Sequence, residues 1–205
     1  MSNTTEKNTA KTAAIQAGTQ TTGKARYLTV IALMAAISYI LAFLEVPMPL
    51  APSFARMDAS DVPALLTAFA LGPVAGTVVE LIKNVLQALS TSTGGIGELA
   101  NFLMGASLVF TAGLIYKQKK TRKMAVVSCV AGSVAMGIMA AIMNYFVLLP
   151  MYQIFMPIDQ VIASFAEIIP FIHTKLDVVL YSALPGNILK GLIVSVITML
   201  VYKRV

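Results

Sequence analysis

The sequence predicts an all-α integral membrane protein of six transmembrane helices with both termini cytoplasmic, on three observations. Of its 205 residues, 58% are hydrophobic and 12% charged, against about a quarter charged in soluble domains. Several apolar stretches reach the roughly 20 residues that a helix needs to cross ~30 Å of hydrocarbon. The lysines and arginines gather in clusters at the ends of those stretches, the pattern that orients membrane helices with their basic loops inside. The same composition excludes disordered and fibrous classes, which need polarity or a short repeat. A single cysteine, Cys129, excludes an intrachain disulfide and a Cys-based zinc cage. A single histidine, His173, leaves little room for a His-rich metal site or a multi-His proton relay.

Taken in order, residues 1–24 are polar and Thr-rich and are expected to form a disordered cytoplasmic tail. They lack the apolar core of a cleavable signal peptide. Residues 25–205 are expected to form one membrane domain. Its first span is residues 27–44, closed by Glu45 and a Pro-rich stretch from Val46 to Pro52, since proline cannot donate a backbone N–H. Residues 59–71 and 74–90 read as two short helices joined at Gly72-Pro73. Residues 99–116 are uncharged apart from their flanks and end at Lys117. A long apolar run over 124–158 contains Pro150 and Pro157, which place the helix end near Leu149. The last span, 178–202, is interrupted by Pro185-Gly186 and by Lys190.

Charge placement sets the orientation. One basic cluster holds Lys7, Lys11, Lys24 and Arg26, a second Lys117, Lys119, Lys120, Arg122 and Lys123, and a third Lys203 and Arg204; Glu6 is the one acid among them. If all three are cytoplasmic, an even number of spans separates neighbouring clusters, so the segment around Gly72-Pro73 must cross twice. The opposite side then holds Glu45, Arg56, Asp58, Asp61, Glu98, Asp159, Glu167, Lys175 and Asp177. On that sorting the net +6 is an orientation code rather than a sign of a nucleic-acid partner.

Embedded polar residues are the candidates for function. Glu80, Lys83 and Asn84 stand at i, i+3 and i+4 on one helix face, where Glu80 and Lys83 can neutralise each other. Lys190 has no acid within four residues, so its partner must be another helix, a backbone carbonyl or a ligand. Asn144 either glues helices together or binds a ligand. The stretch from Thr91 to Glu98, with Gly94, Gly95 and Gly97, is Gly-rich but lacks the Gly-Lys-Ser/Thr ending of a phosphate-binding loop. It reads better as an outer loop that closes on a small ligand. Asp58 and Asp61 have no further metal ligand at useful spacing, so a helix cap at Ser60 or Asp61, with Pro63 just inside, is the better reading. Ala32 and Ala36 form a small-xxx-small pair that permits close helix approach. No nucleophile–base pair or Gly-x-Ser-x-Gly elbow is present, so no enzyme is expected.

The stretch from Met57 to Leu66, the run Leu71-Gly72-Pro73-Val74-Ala75-Gly76 and the continuation Glu80-Leu81-Ile82-Lys83-Asn84 resemble the substrate-binding S components of energy-coupling factor (ECF) vitamin transporters. The segments from Thr93 to Phe102 and from Asn144 to Tyr152 are similar to the riboflavin-specific branch. The likeness spans Arg26 to Arg204. It implies a six-helix S-component fold in the bacterial cell membrane and capture of riboflavin from outside as transported ligand, with no cofactor. It also implies energy from a transmembrane coupling subunit and two cytoplasmic ATPase subunits. Asn144 and Lys190 match positions of polar contact to the flavin ring, and Ala32 and Ala36 match the face that meets the coupling subunit. With that ligand in view, the loop through Met48 and Leu50 can lie against the apolar ring face, and Glu45 and the Gly94-Gly95 backbone can meet ribityl hydroxyls. Three other classes stay open: an S component for another vitamin, an autonomous secondary transporter, and a membrane assembly factor without a small ligand.

Overall fold

A computed structural model of the chain describes residues 23–52, 55–89, 94–154 and 157–202. Seven helices and one small hairpin are formed by these residues. The expected tail lies outside them up to residue 22, as do Lys203 and Arg204; Gly23 and Lys24 already belong to the first helix.

Helix α1 (Gly23–Leu41) buries Ile31, Ala35 and Ser38 on one stripe and exposes Leu28, Leu33, Ile37 and Ile40 on the other. It stops at Leu41 rather than Leu44, where the chain turns through Phe43 N–H to the Ile40 carbonyl at 3.2 Å. The Pro-rich stretch is not merely a loop. Val46–Pro47 (β1) and Arg56–Met57 (β2) pair antiparallel, Val46 with Met57 and Pro47 with Arg56, a two-stranded edge where proline's missing donor is tolerated.

Helices α2 (Asp61–Leu71) and α3 (Pro73–Ala88) meet at Gly72, whose φ of 106° lies in the region glycine alone adopts readily. Pro73 then opens α3 with φ already suited to a helix. Helix α4 (Ile96–Gln118) is followed by Thr121, whose Oγ1 accepts the Met124 N–H at 3.3 Å and caps the next helix.

That helix, α5, runs over Arg122–Tyr152 and does not stop near Leu149. Residues Asn144–Leu148 form a widened π turn just before Pro150. A proline removes the N–H that the carbonyl four residues back would use, and a π turn absorbs the mismatch without ending the helix. The same device recurs in the last helix, α7 (Lys175–Tyr202): a π turn at Val179–Ala183 precedes Pro185. Pro185-Gly186 therefore widens this helix upstream instead of interrupting it. Between α5 and α7 the chain forms a short helix, α6 (Ile158–Ala166). Thr174 and Asp177 close a capping box at the start of α7. His173 is exposed and joins this turn through its backbone N–H to Asp177 Oδ2.

The core follows from small residues. A Cβ on Gly76 would meet the Ala64 carbonyl at 2.6 Å, one on Gly132 the Leu108 carbonyl at 2.7 Å, and one on Gly191 the Ser133 side chain and backbone within 3.0 Å. Backbones that close are the means by which membrane helices gain packing energy without a hydrophobic drive. One apolar cluster joins α1, α2, α3, α4, α5 and α7 through residues such as Ile31, Leu65, Val79, Leu108, Met136 and Val194. A second, smaller one ties α6 to the end of α5 and the start of α7 through Leu149, Val161, Phe165 and Val178. Four helices, α1, α4, α5 and α7, are long and apolar enough to cross a bilayer.

The bundle has two distinct ends. At one, Phe69, Tyr116 and Tyr202 pack ring to ring, with the two tyrosine hydroxyls 2.6 Å apart, beside the Gly72 turn and the basic α4–α5 connection. At the other lie the hairpin, α6 and the first turns of α4 and α7.

Candidate functional site

A cavity of about 400 Å³ opens between the hairpin and the helix ends beneath it, within the roughly 300–1,000 Å³ of small-molecule sites. Its apolar walls come from Met48, Met104, Leu148 and Phe165; Asn101 on α4, Asn144 on α5, and Asn187 and Lys190 on α7 give it polar groups from the bundle, and Arg56, Asp58, Gln87 and Glu98 add further polar and charged groups. Both π turns border it. Asn144 and Leu148 sit on the first, Ser182 and Ala183 on the second. Such turns rotate the side chains that follow them and are frequent at functional sites.

The two helix asparagines present the same atom. Asn144 Nδ2 donates to the Ala140 carbonyl and Asn187 Nδ2 to the Ala183 carbonyl, both at 2.8 Å. Those bonds to carbonyls fix the amide orientation and leave each Oδ1 as an acceptor. Asn187 and Lys190 are at i and i+3, so one face of α7 offers an acceptor beside an ammonium.

Directly under this face lies a buried charge cluster. Lys83 Nζ meets Asp61 Oδ1 and Glu80 Oε2 at 2.7 Å each and donates to Ser60 Oγ at 2.9 Å. Lys83, Asp61 and Glu80 have fully buried side chains. Asp61 turns its other oxygen, Oδ2, to Lys190 Nζ at 3.2 Å. Two lysines thus face two carboxylates and the set is neutral, which is what makes charge tolerable inside a bundle. On the far side Asn84 Nδ2 donates to the Glu80 carbonyl at 2.8 Å, and Asn101 Nδ2 donates to Asn84 Oδ1 at 3.0 Å. A continuous polar chain therefore links two residues of the cavity wall, Asn101 and Lys190.

The Glu80–Lys83 pair anticipated from the sequence is present, and Lys83 is buried rather than reaching toward an interface. Two other readings need correction. Asp61 is neither an outer-surface acid nor a helix cap: it starts α2 with its carboxylate turned inward, Ser60 occupies the cap position without a side-chain cap bond, and Asp58 Oδ1 accepts the Ser60 N–H. Lys190 is not an unpaired charge, because Asp61 comes to it from α2. Moving Asp61 inside makes the embedded charge zero.

Glu45 and Met48 line the cavity, Glu45 also pairing with Arg56 at 3.4 Å on the exposed hairpin. The structure does not bring Leu50, Gly94 or Gly95 to the wall. Leu50 sits in the turn with φ 64° and its carbonyl accepts from Ser182 Oγ at 2.6 Å; Gly94 and Gly95 lead into α4, whose Gly97 and Glu98 do reach the wall. Thr91, Ser92 and Thr93 lie outside the described residues. Ala32 and Ala36 are exposed on the outer face of α1. Sequence reading missed Asn187, whose spacing from Lys190 was the available signal, and Asn101, which had none beyond its place after the Gly-rich loop. Among the described residues no three His, Cys, Asp or Glu side chains converge as a metal site would require.

Gly105 lets α4 cover the cluster: a Cβ there would stand 2.6 Å from Glu80 Oε2 and 3.3 Å from Asp61 Oδ1. Gly105→Ala is expected to push Glu80 off Lys83 at a cost of about 1–3 kcal/mol. The thermal midpoint should fall by roughly 5 °C, and an unchanged midpoint would show that α4 can yield at this point.

Comparison with known proteins places these features in context. Residues 26–202 match the family model of the ECF transporter substrate-specific component. The chain is 38% identical over 178 residues to the riboflavin transporter RibU of Staphylococcus aureus (strain TCH60), covering 86% of this chain and 88% of that protein. It is 32% identical over 182 residues to the riboflavin transporter FmnP of Bacillus subtilis (strain 168), covering 87% and 91%. Among solved structures it is similar to the S component of a bacterial ECF transporter, with a TM-score of 0.70 and 36% identity, over 88% of this chain and 95% of that one.

Proposed function

This chain belongs to the substrate-specific components of ECF transporters, and from that premise we propose that it captures riboflavin on the outer side of the cell membrane and delivers it inward. It is a membrane transport subunit and not an enzyme. ATP hydrolysis falls to its energy-coupling partners, in our reading a transmembrane coupling subunit and two cytoplasmic ATPases. The same reading counts α1, α2, α3, α4, α5 and α7 as six crossings. The Gly72 turn, the α4–α5 connection with Lys117, Lys119 and Lys120, and the end of α7 share one end of the bundle, which is then cytoplasmic. The plasma membrane is the location that such an importer requires.

The observation that carries the ligand assignment is the convergence of Asn144, Asn187 and Lys190 in a cavity that Met48, Leu148 and Phe165 also line. An isoalloxazine has flat apolar faces and one edge bearing carbonyls, a ring nitrogen and an N–H. The edge needs donors and acceptors side by side, and the faces need only apolar contact. Lys190 supplies the donor, the asparagine Oδ1 atoms the acceptors, and Met48 and Phe165 the contact. Glu45 and the Gly94-Gly95 backbone are left for the ribityl chain at the cavity mouth and Leu50 for the apolar ring face, Leu50 and the two glycines by movement of their loops onto a bound ligand. Autonomous secondary transport has no feature in its favour here.

Colour is the direct test. Protein purified in detergent from riboflavin-replete cells is expected to be yellow, with flavin absorbance stoichiometric with chain. Colourless protein that also fails to quench riboflavin fluorescence on titration would overturn the proposal. Asn144→Ala is expected to weaken binding about tenfold, the value of one hydrogen bond to a desolvated partner, with folding retained.

A further inference from the structure

Lys190 lines the cavity, yet its geometry is set from behind. A lysine carries a point charge on a flexible four-carbon stem, and a free one would extend toward water at the cavity mouth. Here the ammonium is held as an ion pair by Asp61 Oδ2 at 3.2 Å. Asp61 cannot follow if Lys190 moves. Its other oxygen is bound to Lys83 at 2.7 Å, and Lys83 is in turn held by Ser60 and Glu80. Asp61 contributes nothing to the cavity wall itself and is wholly buried.

From this we infer that Asp61 is a positioning residue for ligand recognition: anchored by Lys83, it pins the Lys190 ammonium at the cavity wall and cancels its charge. The Lys190 ammonium is then held in one place at the wall, its charge offset by Asp61 behind it and by Asp58, which lines the same cavity, an arrangement suited to a neutral ring edge rather than to an anion. The inference rests on the proposed flavin site and adds to it a residue that never touches the ligand.

A double-mutant cycle on the full chain in detergent tests it, with riboflavin fluorescence quenching as the readout. Lys190→Met and Asp61→Asn are each expected to weaken binding by about tenfold or more. The double variant is expected to bind no more weakly than Lys190→Met alone, within about twofold, because Asp61 acts only through Lys190. It also keeps the Glu80–Lys83 pair and so stays charge-balanced. If the two losses multiply in the double variant, or if Asp61→Asn binds as wild type does, Asp61 is a structural residue and the inference is overturned. Should Asp61→Asn fail to fold, Asp61→Glu, which keeps the charge and displaces it by one methylene, takes its place with the same two outcomes. Failure of the flavin site looks different: wild type itself would not bind, or Lys190→Met would leave affinity unchanged.

Discussion

Lys83→Met is expected to lower the thermal midpoint of the detergent-solubilised protein by about 10 °C or more. Lys83 is the centre of the buried cluster, with all three donors occupied by Ser60, Asp61 and Glu80. Removing it leaves two fully buried carboxylates to share the single cation Lys190. Glu80 would then lose the one ion pair that it makes among the described residues. Breaking a buried pair on one side costs roughly 3–5 kcal/mol, and each kcal/mol is worth about 2–4 °C in a chain of this size. The loss belongs to the orphaned charge rather than to the contact. Replacing both partners should therefore restore most of it: Lys83→Met with Glu80→Gln retains the Asp61–Lys190 pair and is expected to recover at least half of the lost midpoint. A single variant as stable as wild type, or a double variant no better than the single, would show that charge balance does not govern this cluster.

This cluster marks what local spacing can and cannot reveal. Glu80 and Lys83 are one helical turn apart, so their pairing is a property of α3 alone. Asp61 joins them across the Gly72 turn, and Lys190 joins from a helix more than 100 residues later; no periodicity within a segment encodes either contact. Asp61 was misplaced because an acid three residues after another, before a proline, matches a helix cap equally well. The two helix lengths failed for a different reason. Pro150 and Pro185 are genuine breaks in α-helical bonding, and only the surrounding packing decides between a stop and a π turn. That choice matters for function, since the turns carry Asn144 and Ser182 to the cavity. The α2–α3 hairpin was legible because Gly72-Pro73 leaves the backbone few alternatives. Asn187 is masked by the Pro185-Gly186 break that it follows, whereas its spacing of three from Lys190 places both on one face.

Tryptophan at Ala32 or Ala36 is expected to leave riboflavin binding within about twofold of wild type and to reduce uptake by the assembled transporter at least tenfold. The first half follows from the packing of α1. Its core-facing stripe is Ile31, Ala35 and Ser38, while Ala32 and Ala36 are exposed on the opposite side, so an indole there enters no packed space in this chain and lies far along the sequence from the wall formed by Asn144, Asn187 and Lys190. The second half follows from what small residues permit. Two methyl groups four residues apart make a shallow track along which another helix can approach backbone to backbone, and an indole in that track holds the partner off or forces repacking that typically costs 1–3 kcal/mol or more. The flanking Leu33, Ile37 and Ile40 are also exposed, as a face in contact with lipid or with a partner helix would be. Val126→Trp, on an exposed position of α5, separates the two cases: it adds the same bulk to a surface not assigned to coupling and should leave uptake intact. Uptake measured in proteoliposomes or cells containing the whole complex decides the matter. If Ala32→Trp and Ala36→Trp transport normally, or if Val126→Trp fails as they do, the coupling face lies elsewhere on the bundle.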